Sequence, residues 1–280
     1  MLCDAHNHLH DTRLTPFRAA IRTEMEAAHV ERAVVNGTSE ADWEAVAELA
    51  RTVSGLTSAF GLHPWKAAQR SPSWLDTLRR HLDADPTATV GEIGLDRWIE
   101  GHDLDHQRDV FIQQLALAAE RNVAATIHCI RAWGALWEVL REQQVPARGF
   151  LIHAYGGPAE MVTGFVERGA YFSFSPYFLH PRKTAQRDIF AQIPADRLLV
   201  ETDAPDLRPP DERNAHPLQS ESGEPLNHPA NLTVAYAGLA EIRTLAPDAL
   251  EQLIEENFTR LFPARSGARL HPQPRIQTHP

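Results

Sequence analysis

Cysteine is nearly absent from this 280-residue chain, with Cys3 and Cys129 the only two. Two thiols make no disulfide framework and fit a reducing compartment. Long apolar runs are also missing. None approaches the ~20 residues of a membrane span, and no basic region, apolar run and small-residue cleavage site opens the chain. Together these absences predict a soluble, cytoplasmic protein without membrane association. Positive charge is in deficit: 27 Lys and Arg against 37 Asp and Glu leave a net charge of −10. That argues against wholesale coating of nucleic acid, which needs a basic face, but not against a local grip on one or two phosphates. Finally, no Gly-x-Gly-x-x-Gly follows the first apolar run, so a dinucleotide-binding open sheet has no support.

What the chain does have is alternation. Its apolar fraction of 43% is ample for a core. Short apolar or β-branched runs (2–8, 33–37, 56–61, 89–93, 123–128, 149–153, 170–175 and 197–202) are each followed by a segment of helical period. The helical segments fall near 16–29, 39–51, 71–82, 104–121, 132–143, 158–168 and 182–192, with two closing helices near 229–244 and 247–261. Eight strand–helix units in one chain of this length predict an α/β fold, a (β/α)8 TIM barrel over residues 1–262 as one domain. Residues 263–280, rich in Pro, Arg and His, are expected to form a loose tail. The stretch 204–228 carries many prolines and neither period, and is expected to be a long functional loop.

In a barrel, chemistry gathers at the C-terminal ends of the strands. The chain opens with His6-Asn7-His8, and residues i and i+2 of a strand share a face, so two imidazoles stand side by side. The other strands end near His63, Glu92, His128, His153 and Asp203. Each has a plain alternative. His63 could cap a turn before Pro64, and Glu92 could pair with Arg97. His128 and His153 could be satisfied core histidines, and Asp203 could form a turn. Six coincidences at one rim make shared metal chemistry the better account. Six ligands exceed one tetrahedral zinc. They suit two ions about 3.5–4 Å apart that share a carboxylate and a water. Glu92 is the natural bridge, with His6, His8 and Asp203 on one ion and His128 and His153 on the other. Mg, Mn, Zn and Ni all accept such donors.

These motifs resemble the TatD family of metal-dependent hydrolases within the amidohydrolase superfamily. The resemblance rests on Asp4-Ala5-His6-Asn7-His8-Leu9, Gly61-Leu62-His63-Pro64 and Gly91-Glu92-Ile93-Gly94-Leu95-Asp96. It continues through Gln107, Phe111, Gln114, Leu115 and Ala118, then Ile127-His128-Cys129-Ile130-Arg131-Ala132 and Glu201-Thr202-Asp203-Ala204-Pro205. It closes on Asn257-Phe258-Thr259-Arg260-Leu261-Phe262. It implies a barrel with a two-metal centre on the same six ligands, and 3′–5′ exonuclease or other deoxyribonuclease activity in some members and deacylase activity in others. The chain departs from the family pattern at His153-Ala154-Tyr155-Gly156-Gly157, at Arg97, at Leu226-Asn227-His228-Pro229 and at Ser175-Pro176. These changes bear on substrate choice rather than on the ligands.

The expected chemistry is attack by a metal-activated water, with Asp203 and Glu92 as catalytic residues. Lys66, Arg70, Arg97, Arg131, Arg182, Lys183 and Arg208 follow strand ends, which favours an anionic substrate such as a DNA end. Arg131 is the foremost phosphate contact because its fork can bind bidentately. The expected substrate contacts are His63, Arg97, Arg131, Tyr155 and His228, and Trp65, Trp98, Tyr155 and Tyr177 could stack on a base. A phosphodiesterase is the leading expectation. A carboxylic ester, amide or lactone hydrolase on the same centre is the alternative, and a non-catalytic binding protein a third. No stable protein partner is predicted.

Overall fold

The computed structural model describes residues 1–262, and the tail expected over 263–280 lies outside the described residues. Eight parallel strands form one sheet in chain order: β1 (Leu2–Asn7), β2 (Val30–Asn36), β3 (Leu56–Phe60), β4 (Thr89–Asp96), β5 (Ala125–Ile130), β6 (Phe150–Ile152), β7 (Ala170–Phe174) and β8 (Leu198–Val200). The strands are buried almost throughout, with both of their faces covered. Parallel neighbours require a crossover each time. Helices α1 (Arg18–Ala27), α2 (Trp43–Thr52), α3 (Trp74–Ala84), α4 (Leu104–Arg121), α5 (Trp133–Glu142), α6 (Val162–Glu167) and α7 (Thr184–Phe190) supply them. Two further helices, α8 (Leu232–Arg243) and α9 (Pro247–Leu261), complete the outer layer.

The chain segment after β8 returns to β1. Asp203 N–H donates to the His6 carbonyl at 2.9 Å, and His8 N–H donates to the Ala204 carbonyl at 2.8 Å. Asp4 fastens the same seam by accepting from the Thr202 N–H at 3.0 Å and the Thr202 hydroxyl at 2.6 Å. The result is the nearly closed (β/α)8 barrel that the alternation predicts. Each helix turns a narrow apolar face inward. In α3 this face is Trp74, Leu78 and Leu82, four residues apart, and in α9 it includes Leu250, Ile254, Phe258 and Leu261. No described helix is long and apolar enough to cross a membrane.

Several boundaries differ from expectation. Strands β4 and β5 run past Ile93 and His128, because they pair with each other at Gly94↔His128, Leu95↔Cys129 and Asp96↔Ile130. Gly94 makes that pairing possible: its φ is +143°, and a Cβ there would come within 2.0 Å of the His128 carbonyl oxygen. The helix expected from Ser39 begins at Trp43, since Asp42 takes the N–H groups of Thr38 and Ser39. A 3-10 turn over Thr12–Phe17 precedes α1. The 204–228 loop is not devoid of strands. It holds an antiparallel hairpin, β9 (Pro217–Gln219) with β10 (Pro225–Asn227), whose three-residue strands are too short to show a period.

Candidate metal centre

Glu92 lies in the interior of the barrel mouth, buried among histidines from four segments of chain. Its Oε1 is 2.9 Å from His153 Nε2, 3.0 Å from His128 Nδ1 and 3.4 Å from His63 Nε2. Its Oε2 faces the opposite way, 3.4 Å from His8 Nε2 and 3.6 Å from His6 Nε2. Asp203 Oδ1 meets the same two imidazoles at 3.4 and 3.2 Å. One carboxylate thus separates two nests of donors. His6, His8 and Asp203 gather on one side, and His128 and His153 on the other. His6, His8 and Asp203 lie close enough together to hold a cation, and so do two groups built on Glu92, one with His6 and His153 and one with His63 and His128.

Hydrogen bonds on the far side of the His8 and His128 rings decide which nitrogen faces inward. His8 Nδ1–H donates to the Asn36 carbonyl at 2.7 Å, leaving the Nε2 lone pair toward the carboxylates. His128 Nε2–H donates to Asp96 Oδ2 at 2.8 Å, leaving Nδ1 inward. His153 turns Nδ1 toward Glu201 Oε1 at 3.6 Å, and Glu201 is itself held by a very short hydrogen bond from the Ser173 hydroxyl. Partners of this kind fix the tautomer and the plane of a metal-binding imidazole. His63 has the reverse arrangement. Its Nδ1 accepts from the Trp65 N–H at 3.2 Å, so the neutral ring carries its proton on Nε2, the atom that faces Glu92. His63 therefore presents a hydrogen-bond donor to the centre rather than a lone pair.

The electrostatics fit a cation site. Burial would raise the Glu92 carboxyl, but the surrounding imidazoles outweigh it and hold the group well below the carboxylate range. Burial opposes charge on His8, His128 and His153, yet the facing carboxylates raise all three. His6 and His63 are pushed down to about 4, chiefly by burial. Asp203 is lowered against its burial by His6 and His8. Such a donor set draws positive charge into its middle, and divalent ions would supply it by displacing those protons. His6 offers a direct test of the fit. Its two ring nitrogens are buried without a hydrogen bond, and Nε2 lies 3.2 Å from Asp203 Oδ1, an orphaned polar atom that a cation between the two would satisfy.

The family model described as TatD related DNase matches residues 3–263. The chain belongs to the TatD family. Among relatives of this metal-dependent hydrolase family, the uncharacterised hydrolase YjjV of Escherichia coli is 28% identical over 267 residues, 94% of this chain and 99% of the relative. The 3′-5′ ssDNA/RNA exonuclease TatD of Pantoea vagans is 30% identical over 91% of this chain and 96% of its own. The crystal structure of the E. coli TatD homologue YjjV superposes with a TM-score of 0.85 at 27% identity, covering 94% and 98% of the two chains.

Within this TatD-family barrel, the six residues expected as ligands converge, and His63 joins them. Arg97 and Arg131 lie on adjacent strand ends, linked by Arg97 N–H donating to the Ile130 carbonyl at 2.9 Å, and both side chains are exposed. Tyr155 sits elsewhere. Its ring is wholly buried against Trp133, Phe165 and Phe172, and its hydroxyl donates to the Pro158 carbonyl, so no face is left for a base. His228 is buried beside Glu24 of α1 and stacks on His216, with Nδ1 accepting from the Ala230 N–H. Arg182 and Lys183 cover Tyr177, and Arg208 pairs with Asp211. Sequence reasoning missed Asp96, Glu201 and Asn36 as orienting groups. Asp96 and Glu201 stood inside quoted family motifs, whereas nothing in the sequence marked the Asn36 carbonyl.

Proposed function

We propose that this TatD-family chain is a phosphodiesterase acting on nucleic-acid 3′ ends, with His6, His8, Glu92, His128, His153 and Asp203 holding two divalent ions. The observation that carries it is the division of Glu92, one oxygen toward each nest of donors. The exposed Arg97 and Arg131 beside the centre, on a chain of net charge −10, support an anionic substrate, as does the exonuclease name of the Pantoea relative.

Divalent ions bound there supply a Lewis acid for the phosphoryl oxygen and lower the pKa of water toward neutrality. The chain does the rest. Glu92 and Asp203 set the spacing of the donors. Asp203 engages His6 and His8 through Oδ1 and takes the proton of the attacking water at Oδ2. His63 donates from Nε2 to an oxygen on which negative charge develops. Arg131 and Arg97 hold the phosphate in register for attack.

The test is degradation of an end-labelled single-stranded DNA by metal-stripped protein with Mg or Mn restored. Wild-type cleavage should return, and Glu92→Ala and Asp203→Ala should each lower it by about 1,000-fold or more. Restored metal content without cleavage of DNA, together with turnover of carboxylic esters, would replace the phosphodiesterase reading with the acyl hydrolase.

A further inference from the structure

Four large apolar side chains are exposed among the described residues: Trp65, Trp98, Ile130 and Leu245. Three of them follow or end β3, β4 and β5, at the barrel rim that carries the metal donors. Trp65 is 39% and Trp98 58% exposed. Their rings lie 6.4 Å apart at 35°, forming two tilted faces of one shallow surface. Trp65 is also 5.0 Å from the His63 ring and 6.3 Å from the His128 ring, so this surface borders the centre itself.

The same buried carboxylate holds the Trp65 indole and the backbone of Trp98. Asp96 Oδ2 accepts from the Trp65 indole N–H at 2.9 Å and from His128 Nε2–H at 2.8 Å. Asp96 Oδ1 accepts from the Trp98 backbone N–H at 2.6 Å. The Asp96 backbone is clamped in turn by Gln107, which accepts from its N–H at 2.7 Å and donates to its carbonyl at 2.9 Å. The Trp65 indole and the backbone that carries Trp98 thus share an anchor with the His128 imidazole. Beside Trp98 and Ile130 in the chain stand Arg97 and Arg131, both exposed and without an ion-pair partner among the described residues.

We infer that Trp65 and Trp98 form a stacking platform for the base of the nucleotide whose phosphate enters the centre. This rests on the phosphodiesterase reading for the identity of the phosphate. Charge complementarity selects the occupant: an aromatic face flanked by two guanidinium groups suits a planar base joined to an anion. An acyl chain would instead need an enclosed apolar channel, and a duplex end would keep its bases stacked within itself. A base has a π-face whatever its identity, so the platform confers affinity for an unstacked base without sequence preference.

The experiment compares a short single-stranded oligonucleotide with its counterpart abasic at the last two 3′ positions, both carrying phosphorothioate linkages there to slow turnover. Binding to the intact protein is followed by tryptophan emission, and cleavage of the unmodified pair by end label. Wild type should bind the base-bearing strand about 10-fold or more tightly than the abasic one and quench on binding. Trp98→Ala should bring that ratio close to one, and Trp65→Phe, which keeps a ring but loses the Asp96 bond, should leave it intermediate. The high exposure of Trp98 makes its truncation harmless to folding. An unchanged ratio in Trp98→Ala, with cleavage retained, would overturn the platform and leave the nuclease standing. A ratio that collapses in a protein that cleaves no oligonucleotide would keep the platform and remove the nuclease.

Discussion

Asp96 accepts from His128, from the Trp65 indole and from two backbone N–H groups of the loop after β4. The His128 bond fixes which imidazole nitrogen remains free to face Glu92. An amide in place of the carboxylate would set an N–H against one of those donors and loosen the ring. Asp96→Asn should therefore lower metal affinity and DNA cleavage by about 10- to 100-fold, measured by metal content after dialysis and by kcat/KM, while circular dichroism stays native. Retention of full metal content and rate would show that Asp96 does not orient His128. The two thiols have an opposite character. Burial pushes Cys3 up to about 12 and Cys129 higher still, so almost no thiolate exists at pH 8. Both should resist iodoacetamide in the native protein at pH 8 and react in guanidinium chloride, as read by mass spectrometry. Rapid native labelling of either would contradict the burial.

Among the elements, the β4–β5 pair is the most demanding. Its extension past Glu92 carries Asp96 and His128 into mutual reach, and it depends on Gly94. Gly94→Ala would place a methyl group against the His128 backbone at a φ that disfavours any side chain. We expect a loss of about 2 kcal/mol or more, measured by urea unfolding, with a parallel loss of metal-dependent activity because His128 must shift. Helix α8 carries a correctable defect. It ends on Thr244 at φ +52°, a left-handed position that a β-branched residue occupies at a cost and glycine occupies freely. Thr244→Gly should raise stability by about 0.5–1 kcal/mol, seen as a small rise in the unfolding midpoint with activity unchanged. A fall in the midpoint would mean that chain entropy outweighs the relieved φ.

For the molecule as a whole, the candidate centre gathers side chains from β1, β4 and β5 and from the segments after β6 and β8, and so links distant arcs of the barrel. Ions bound only by the folded arrangement stabilise it by mass action. Saturating Mn should therefore raise the calorimetric midpoint above that in chelator, and Glu92→Ala should abolish most of that rise. An equal rise in the variant would assign the stabilisation to ions bound elsewhere.

The sequence by itself determined the barrel, because strand and helix differ in the period of their apolar residues and eight repeats of that change leave few topologies. It also determined the six convergent donors, since barrel strands bring their ends to one rim regardless of separation along the chain. Helix starts were legible only approximately, because side chains such as Asp42 capture N–H groups that a longer helix would use. Tertiary structure alone decided the rest. Glu92 and His128 lie within strands because β4 and β5 pair beyond their apolar runs, a non-local event that neither segment announces. Tyr155 and Trp98 look alike as loop aromatics, yet one is enclosed by Trp133 and Phe165 and the other faces solvent. His63 and His128 are chemically identical residues. They differ only in which ring nitrogen their neighbours occupy, the Trp65 N–H at one Nδ1 and the Asp96 carboxylate at the other Nε2, and that choice becomes physical once the chain has folded.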